Sequence, residues 1–432
     1  MLRQLMVSAI ACTTLCVAQS GRSYGPGRVW WDAGQGGALP WEESYDNPDG
    51  QVTVLNRDGV VRADRHPFFE ALGRNGRACI TCHQPSNAMS VSASAIRERW
   101  VATDGKDPVF AAFDGANCPE IPQYPMSAHS LLVERGLFRI PIAWPPKAGA
   151  EFRLEVVRSP AGCKQREGEI SVYRRPRITA NLGTVLAGPD GMMFMADGRE
   201  RSLQSQAIGA ILGHEQAPDH PTLDQLRAIV AFESQVFAAQ SADIRGGLLN
   251  ETGGPGSLSP QNLAVGKAGS LASLLSFAMW RKPEGAGDLG LQREFRASVA
   301  HGSEVFRARC ASCHTAGTTR WMDIGTANTR DPESDKDLPL FRVICDPSAA
   351  PNAAFGRVFY THDPGRGAVS GKCADVGAIA LQQFRGLSAR PPYFANGSAR
   401  TLADVVDFYV RRREMKFTPL ERQDLINFLR VL

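Results

Sequence analysis

The stretch RACITCHQP at residues 77–85 is answered by RARCASCHT at residues 307–315, and each holds the order Cys-x-x-Cys-His. A lone Cys-x-x-Cys reads as a redox dithiol, half of a zinc site or a haem attachment, and a histidine directly behind the second cysteine favours haem. Covalent attachment needs two reduced thiols that add across the two vinyl groups of the porphyrin. Two intervening residues let one turn of chain present both thiols to the same porphyrin edge, and the next residue turns under the iron. On this reading Cys79, Cys82, Cys310 and Cys313 are thioether anchors and His83 and His314 are proximal iron ligands, so the chain carries two covalently bound haem c groups. A zinc site shared by the four cysteines has the right count for tetrahedral thiolate binding but leaves both histidines unexplained. Thioredoxin-like chemistry wants a strand before the motif and a long helix after it, and neither copy has them.

No equally clean sixth iron ligand is present. Behind the second motif the candidates are His362, Tyr360 and Met322, and near the first they are His66, His129, His214 and Met89. An iron left open on one side binds peroxide or oxygen, whereas two closed irons only pass electrons. That distinction separates an enzyme from a carrier.

The remaining sequence sets the frame. A chain of 432 residues with 43% hydrophobic content builds two or three domains with real cores. A formal charge of +4 over 48 basic and 44 acidic residues leaves no electrostatic footprint for nucleic acid. The opening MLRQLMVSAIACTTLCVAQS puts Arg3 ahead of an apolar run and reads as a secretory signal cleaved near Ala18. Leu15 before Cys16 is too bulky for a lipoprotein site, and no other stretch is long and apolar enough to span a membrane. Outside the motifs and the signal stand Cys118, Cys163, Cys345 and Cys373, which allow three disulfide pairings or four free thiols. Chain order favours Cys118 with Cys163 and Cys345 with Cys373, each stapling a loop inside one half of the chain.

Periodicity places the motifs mainly among helices. Residues 19–60, with Trp30, Trp31 and Trp41, read as an extended segment wrapped over a domain, and a short helix after His66 delivers the first motif. Residues 92–108 are partly helical. EFRLEVVRS from Glu151 and EISVYRR from Glu169 alternate apolar and polar residues and are expected to pair as a small hairpin. RSLQSQAIGAILG from Arg201 is helical with Ser202 as its cap. HPTLDQLRAIVAFESQVFAAQSA from His220 reads as one helix capped by Thr222, with Leu226, Ile229, Val230 and Phe237 on its apolar stripe. Residues 241–267 are glycine-rich and read as a long loop. REFRASVAHGSEVFRARCASCH carries Gly302 and Phe306 on one face into the second motif, which permits close crossing by a neighbour. Thr401 opens a further helix. Thr418, Pro419 and Glu421 form a capping box for a closing helix whose face is Leu425, Phe428, Leu429 and Leu432.

The two motifs, together with MADGRERSLQSQA at 195–207 and FRGLSARPPYFANGSARTLADVVDFY at 384–409, resemble the bacterial dihaem cytochrome c peroxidase superfamily, including the related tryptophylquinone-forming enzymes. The resemblance covers roughly residues 61–432. It implies a periplasmic protein of mainly α class, built from two cytochrome c-like haem domains with long loops. The small hairpin belongs to the first of these domains. The expected division is a signal peptide at 1–18, an extended segment at 19–60, a first haem domain at 61–289 and a second at 290–432. Peroxide is reduced, or used to oxidise a partner, at the first haem, while the second relays electrons from a small redox protein or a quinone-linked dehydrogenase. The alternatives are a non-enzymatic dihaem carrier that docks with a dehydrogenase, and an oxidase or oxygenase acting on an organic substrate.

By position, Asp197, Gly198 and Arg199 match the family's Asp-Gly-Arg, and Gln206 its distal glutamine. Glu215 takes the place of the catalytic glutamate, one residue short of the family spacing, with His214 beside it to assist or replace it. Asn181 falls where the family associates an asparagine with calcium, and Pro392, Tyr393 and Gly397 match a turn beside the second haem. Three departures stand out. Ala196 occupies the place of a tryptophan that bridges the haems, and Gly377 falls where a methionine or tyrosine should cap the second iron, which leaves His362 as first choice. No histidine follows His83 within roughly sixteen residues, so the first iron is expected to be open.

Overall fold

The computed structural model describes residues 30–146, 149–160, 162–164, 166–185, 191–251, 254–266, 277–281, 290–314 and 321–432. The signal stretch at 1–18 lies outside the described residues. The fold is mixed α/β, with two four-stranded and three two-stranded antiparallel sheets among the described residues, beside the helices. This corrects the mainly α, cytochrome c-like expectation. Strand pairing between distant segments is the physical reason, because short half-buried strands leave only a faint local pattern.

Within the stretch read as an extended segment at 19–60, of which residues 19–29 lie outside the described residues, Glu42–Asn47 forms a hairpin against Gly50–Asn56. Asn47 Oδ1 accepts from the Asp49 amide at 3.0 Å to close the turn. Gly50 sits at φ +147°, and a Cβ there would run into the Ala242 carbonyl, so only glycine serves. Gly50–Asn56 continues into a sheet with Val236–Asp243 and Gly247–Leu248. Thr53 Oγ1 donates to Ser241 Oγ at 2.6 Å across a separation of 188 residues.

Val236–Asp243 also corrects the single long helix read from His220. The helix runs only Leu223–Gln235, under the expected Thr222 cap, and Val236 turns to extended backbone at φ −84°, ψ 129°. Phe237 therefore sits in a strand, where β-branched and aromatic residues pack on a pleated surface. Residues 241–267 also hold the helix Pro260–Ala264, and Leu249 and Leu258 are fully buried. The stretch after His66 is a series of turns, and helix begins only at Cys79–Cys82.

The expected hairpin between 151–159 and 169–175 does not form. Both stretches are strands, but Glu169–Arg174 pairs with Phe138–Ala143, while Phe152–Arg158 pairs with Leu340–Cys345. The second four-stranded sheet thereby joins Phe152–Arg158 to Leu340–Cys345, Val358–Thr361 and Asn328–Thr329. Disulfides Cys118–Cys163 and Cys345–Cys373, with Cα separations of 5.6 and 5.8 Å, follow the pairing that chain order favours.

The helices around the second motif match their sequence pattern. Gly290–Arg309 crosses Pro419–Arg430 at Gly302, where a Cβ would strike the Asp424 carbonyl and come within 2.9 Å of the Phe428 Cβ. Asp424 holds the crossing with both oxygens, accepting from Ser298 Oγ and meeting His301 Nδ1 at 2.6 Å. Phe295, Phe306, Phe428 and Leu429 pack together in this core. Thr418 with Glu421 and Thr401 with Asp404 complete reciprocal caps.

Candidate functional site

The first motif hangs from a buried ion pair. Arg77, 1% exposed, donates to the Pro108 and Val109 carbonyls at 2.7 Å and pairs with Asp114. Asp114 also meets His214 Nδ1 at 2.8 Å. Burial would raise the Asp114 carboxyl, but Arg77 and His214 outweigh it and hold it below the ordinary range. One helical turn, Cys79–Cys82, follows, with the His83 amide closing on the Cys79 carbonyl at 3.1 Å.

His83 Nδ1 lies 3.1 Å from the Met89 carbonyl. A carbonyl only accepts, so Nδ1 carries the proton and Nε2 keeps the lone pair that a metal takes. Burial lowers the His83 pKa to about 4, so the ring is neutral at pH 7. Gln84 locks the following turn through the Ile80 carbonyl at 2.7 Å and both backbone groups of Trp31.

Cys79, Cys82 and His83 open onto a cavity of about 280 Å³. Gln206, His214 and Glu215 border the same space, so the structure assembles the acid, amide and imidazole expected beside the first motif. Glu215 is 3% exposed. Its Oε2 accepts from the Leu72 amide at 3.0 Å, and Cys79 Sγ donates to Oε1 at 3.5 Å. Burial pushes this carboxyl up to about 7. Asn75 Nδ2 donates to the His214 carbonyl at 2.8 Å, and Gly73 lies so close to the Glu215 carbonyl that no Cβ fits. Gln206 Oε1 is buried and meets no hydrogen-bond partner among the described residues.

Sequence reasoning missed Glu233, which borders this cavity at 2% exposure. Its Oε2 has no hydrogen-bond partner among the described residues, and burial pushes the carboxyl up to about 8. A signal existed: Glu233 stands four residues after Ile229 and seven after Leu226, an acid on the apolar face of its helix.

At the second motif the amides of Cys310 and His314 close on the Phe306 and Cys310 carbonyls at 2.8 and 3.0 Å. Burial raises the Cys310 thiol to about 11. The His314 ring meets Phe384 edge-on at 4.7 Å, and Tyr409 Oη lies 3.3 Å from its Nε2. Cys310, Cys313 and His314 border a second cavity of about 340 Å³, with Met322, Met415, Pro392, Tyr393 and Tyr409. Cys313, His314, Arg175 and residues 381–384 border both cavities, so one thickness of chain separates them.

Several candidates lie elsewhere. His362 spends Nδ1 on the Pro339 carbonyl at 2.7 Å and Nε2 on Ser334 Oγ at 3.1 Å, and it does not border the second cavity. Tyr360 is a strand residue and Gly377 packs on Asn328; neither borders that cavity. Gly397, at φ +62°, turns beside the Arg135 carbonyl. Near the first motif, His129 is engaged at both nitrogens by the Gly115 and Gln123 carbonyls, and His66 packs on Phe69 and Phe232. Met89 reaches His83 through its carbonyl. Asn181 borders the first cavity but uses both ends of its amide on Ala238, and no oxygen-rich calcium cage surrounds it among the described residues. In Asp-Gly-Arg, burial is outweighed by Arg174 and Arg199, which hold Asp197 at about 2. Ala196 borders the first cavity with no aromatic ring to offer.

The donor set fits covalent haem at both cavities. Each holds two unoxidised thiols and the adjoining histidine, while the other four cysteines of the described chain are joined in disulfides. Shared zinc has no such support: among the described residues no three His, Cys, Asp or Glu side chains gather into a metal-binding group. Nor is any described helix long and apolar enough to cross a membrane.

No family model matches this chain, and no curated protein matches it. Among solved structures it is similar to hydrazine synthase of Kuenenia stuttgartiensis at 14% identity and a TM-score of 0.33, over 75% of this chain and 85% of that one. It is likewise similar to a dihaem peroxidase of Burkholderia thailandensis at 14% identity and a TM-score of 0.34, over 85% and 84% of the two chains. A single-residue variant of that peroxidase gives 14% identity, a TM-score of 0.33 and the same coverage. At these scores the likeness is distant and assigns neither activity nor residues.

Proposed function

We propose that this chain is an exported dihaem c-type oxidoreductase that reduces hydrogen peroxide, or uses it to oxidise a partner, at the cavity of His83. The observation that carries the reading is the pair of adjoining cavities, each furnished with the thiols and histidine of one Cys-x-x-Cys-His motif. A haem held there supplies an iron that binds peroxide and exchanges electrons. Thioether formation removes the Cys79 thiol proton, which frees Glu215 Oε1 from that hydrogen bond. Its carboxylate then takes the proton from one peroxide oxygen and returns it to the other as the O–O bond breaks. Gln206, with an unsatisfied amide oxygen, orients the peroxide by hydrogen bonding. Two electrons and two protons convert the molecule to two waters. We assign the electron supply to the second motif, across residues 381–384, from a small redox protein or quinone-linked dehydrogenase. The periplasm is the proposed location, and two disulfides suit an oxidising compartment.

Electron paramagnetic resonance of the ferric protein tests this reading. A high-spin signal that disappears on equimolar peroxide supports it, and two low-spin signals indifferent to peroxide refute it. One observation favours the carrier alternative, in which the chain docks with a dehydrogenase: Met193 and Met195 also border the first cavity. A thioether from either would close the iron and produce the low-spin outcome.

A further inference from the structure

The fold supplies acids to several of its buried arginines: Arg77 has Asp114, Arg139 has Glu169, and Arg174 has Asp197 and Asp363. Arg175, Arg385 and Arg390 are buried to a similar degree, at 6%, 6% and 5% exposure, and have no acid partner among the described residues. Neutral groups surround them instead. Arg175 donates to the Arg135, Val91 and Arg390 carbonyls, Arg385 to the Ser257 carbonyl, and Arg390 to the Arg385 and Gln383 carbonyls and the Gln382 amide. Arg177, less deeply buried, donates to the Ala380 and Leu381 carbonyls. Burial lowers the Arg175 pKa to about 9 and those of Arg177, Arg385 and Arg390 to about 10, with Arg390 adding repulsion at Arg175 and Arg177. Carbonyl dipoles alone do not offset a group of desolvated like charges.

These cations are placed where an anion would enter. Arg177 and Arg385 border the first cavity, Arg390 the second, and Arg175 both. A guanidinium presents a planar fork of donors that matches a carboxylate. Each haem brings two carboxylates on its propionate edge, away from the vinyl edge that the cysteines anchor. The arginines come from segments remote in sequence from both anchors.

We propose that Arg175, Arg177, Arg385 and Arg390 hold the propionates of the two haems, with Arg175 serving both. The assignment rests on the dihaem reading above. It couples the two haems electrostatically, because one cation stands in the wall they share. Nearby positive charge favours the reduced iron, so the same residues raise the reduction potentials of both centres.

The test uses the full holoprotein carrying haem labelled with ¹³C at the propionate carboxyls, followed by redox-difference infrared spectroscopy over a range of pH. Label-sensitive bands that stay ionised from mildly acidic to mildly alkaline pH support the assignment. Bands that titrate as free carboxylates overturn it, and so do pH-stable carboxylate bands without label sensitivity, which would place another carboxylate on the arginines. This measurement needs no variant. Where the variants fold, Arg390→Gln should shift the propionate bands and lower the midpoint potential of the second haem only, Arg385→Gln of the first only, and Arg175→Gln of both. Arg390→Lys should restore the potential, as a merely structural role would not predict, and unchanged spectra and potentials in loaded variants overturn the proposal. Haem content measured as the pyridine haemochrome separates the two failures. Fewer than two haems per chain defeats the dihaem reading and this assignment with it, whereas two haems with free propionates defeat this assignment alone.

Discussion

Glu215 and Glu233 border one cavity but titrate under different constraints. Glu215 is gripped by the Leu72 amide and the Cys79 thiol, whereas one Glu233 oxygen has no hydrogen-bond partner among the described residues. With Glu215 as the proton-transfer group, peroxide turnover should rise with pH as the carboxyl ionises, above the ordinary carboxylate range because burial raises it. Glu215→Gln should lower the rate by roughly 10²-fold or more and remove that limb of the profile, both read in a steady-state peroxide assay. Glu233 makes a separate prediction about stability. Its carboxyl is raised from 4.5 to about 8 in the folded chain. Such a group binds more protons when folded, so its stabilisation is complete below the unfolded value and is lost as pH rises through the folded one. The melting temperature should therefore fall between pH 4.5 and about 8, and Glu233→Gln should flatten that decline.

Helices and strands differ in how plainly they announce themselves. The crossing of Gly290–Arg309 and Pro419–Arg430 was legible because its determinants are local: a glycine and an aromatic on one face, and a capping box opposite. Gly302→Val would force a branched side chain onto the Asp424 carbonyl. The expected loss is about 1–3 kcal/mol, measured by denaturant unfolding. Loss of the Thr418 cap in Thr418→Ala should cost about 1 kcal/mol by the same measurement. The hairpin at Glu42–Asn47 and Gly50–Asn56 was not legible. Its value to the chain lies in pairing with Val236–Asp243, and no local periodicity encodes a partner so distant. The same competition cut the helix from His220 at Gln235, where strand pairing outweighs a helical pattern that runs on to Phe237.

Across the whole molecule, Phe152–Arg158 ties the first half of the chain to the sheet of the second, and the Cys345–Cys373 disulfide begins at the end of that sheet. Replacing both cysteines by alanine opens a link across 28 residues and should lower stability by about 2–4 kcal/mol, read by unfolding under non-reducing conditions. The two cavities share a wall at residues 381–384, so on the dihaem reading proposed above, substitutions there are the ones that should affect electron exchange between the centres.

The sequence by itself placed the candidate attachment residues, because each motif's two cysteines and histidine fall in one short stretch whose spacing is a local property. It also determined the helices with complete local signals and indicated the disulfide pairing through chain order. Only the tertiary structure decided the fold class, because antiparallel partners lie far apart along the chain. It alone removed His362 from the second cavity by engaging both ring nitrogens, and it alone gathered Arg175, Arg385 and Arg390 without acids. Burial and charge balance belong to the packed whole, and no single segment carries them.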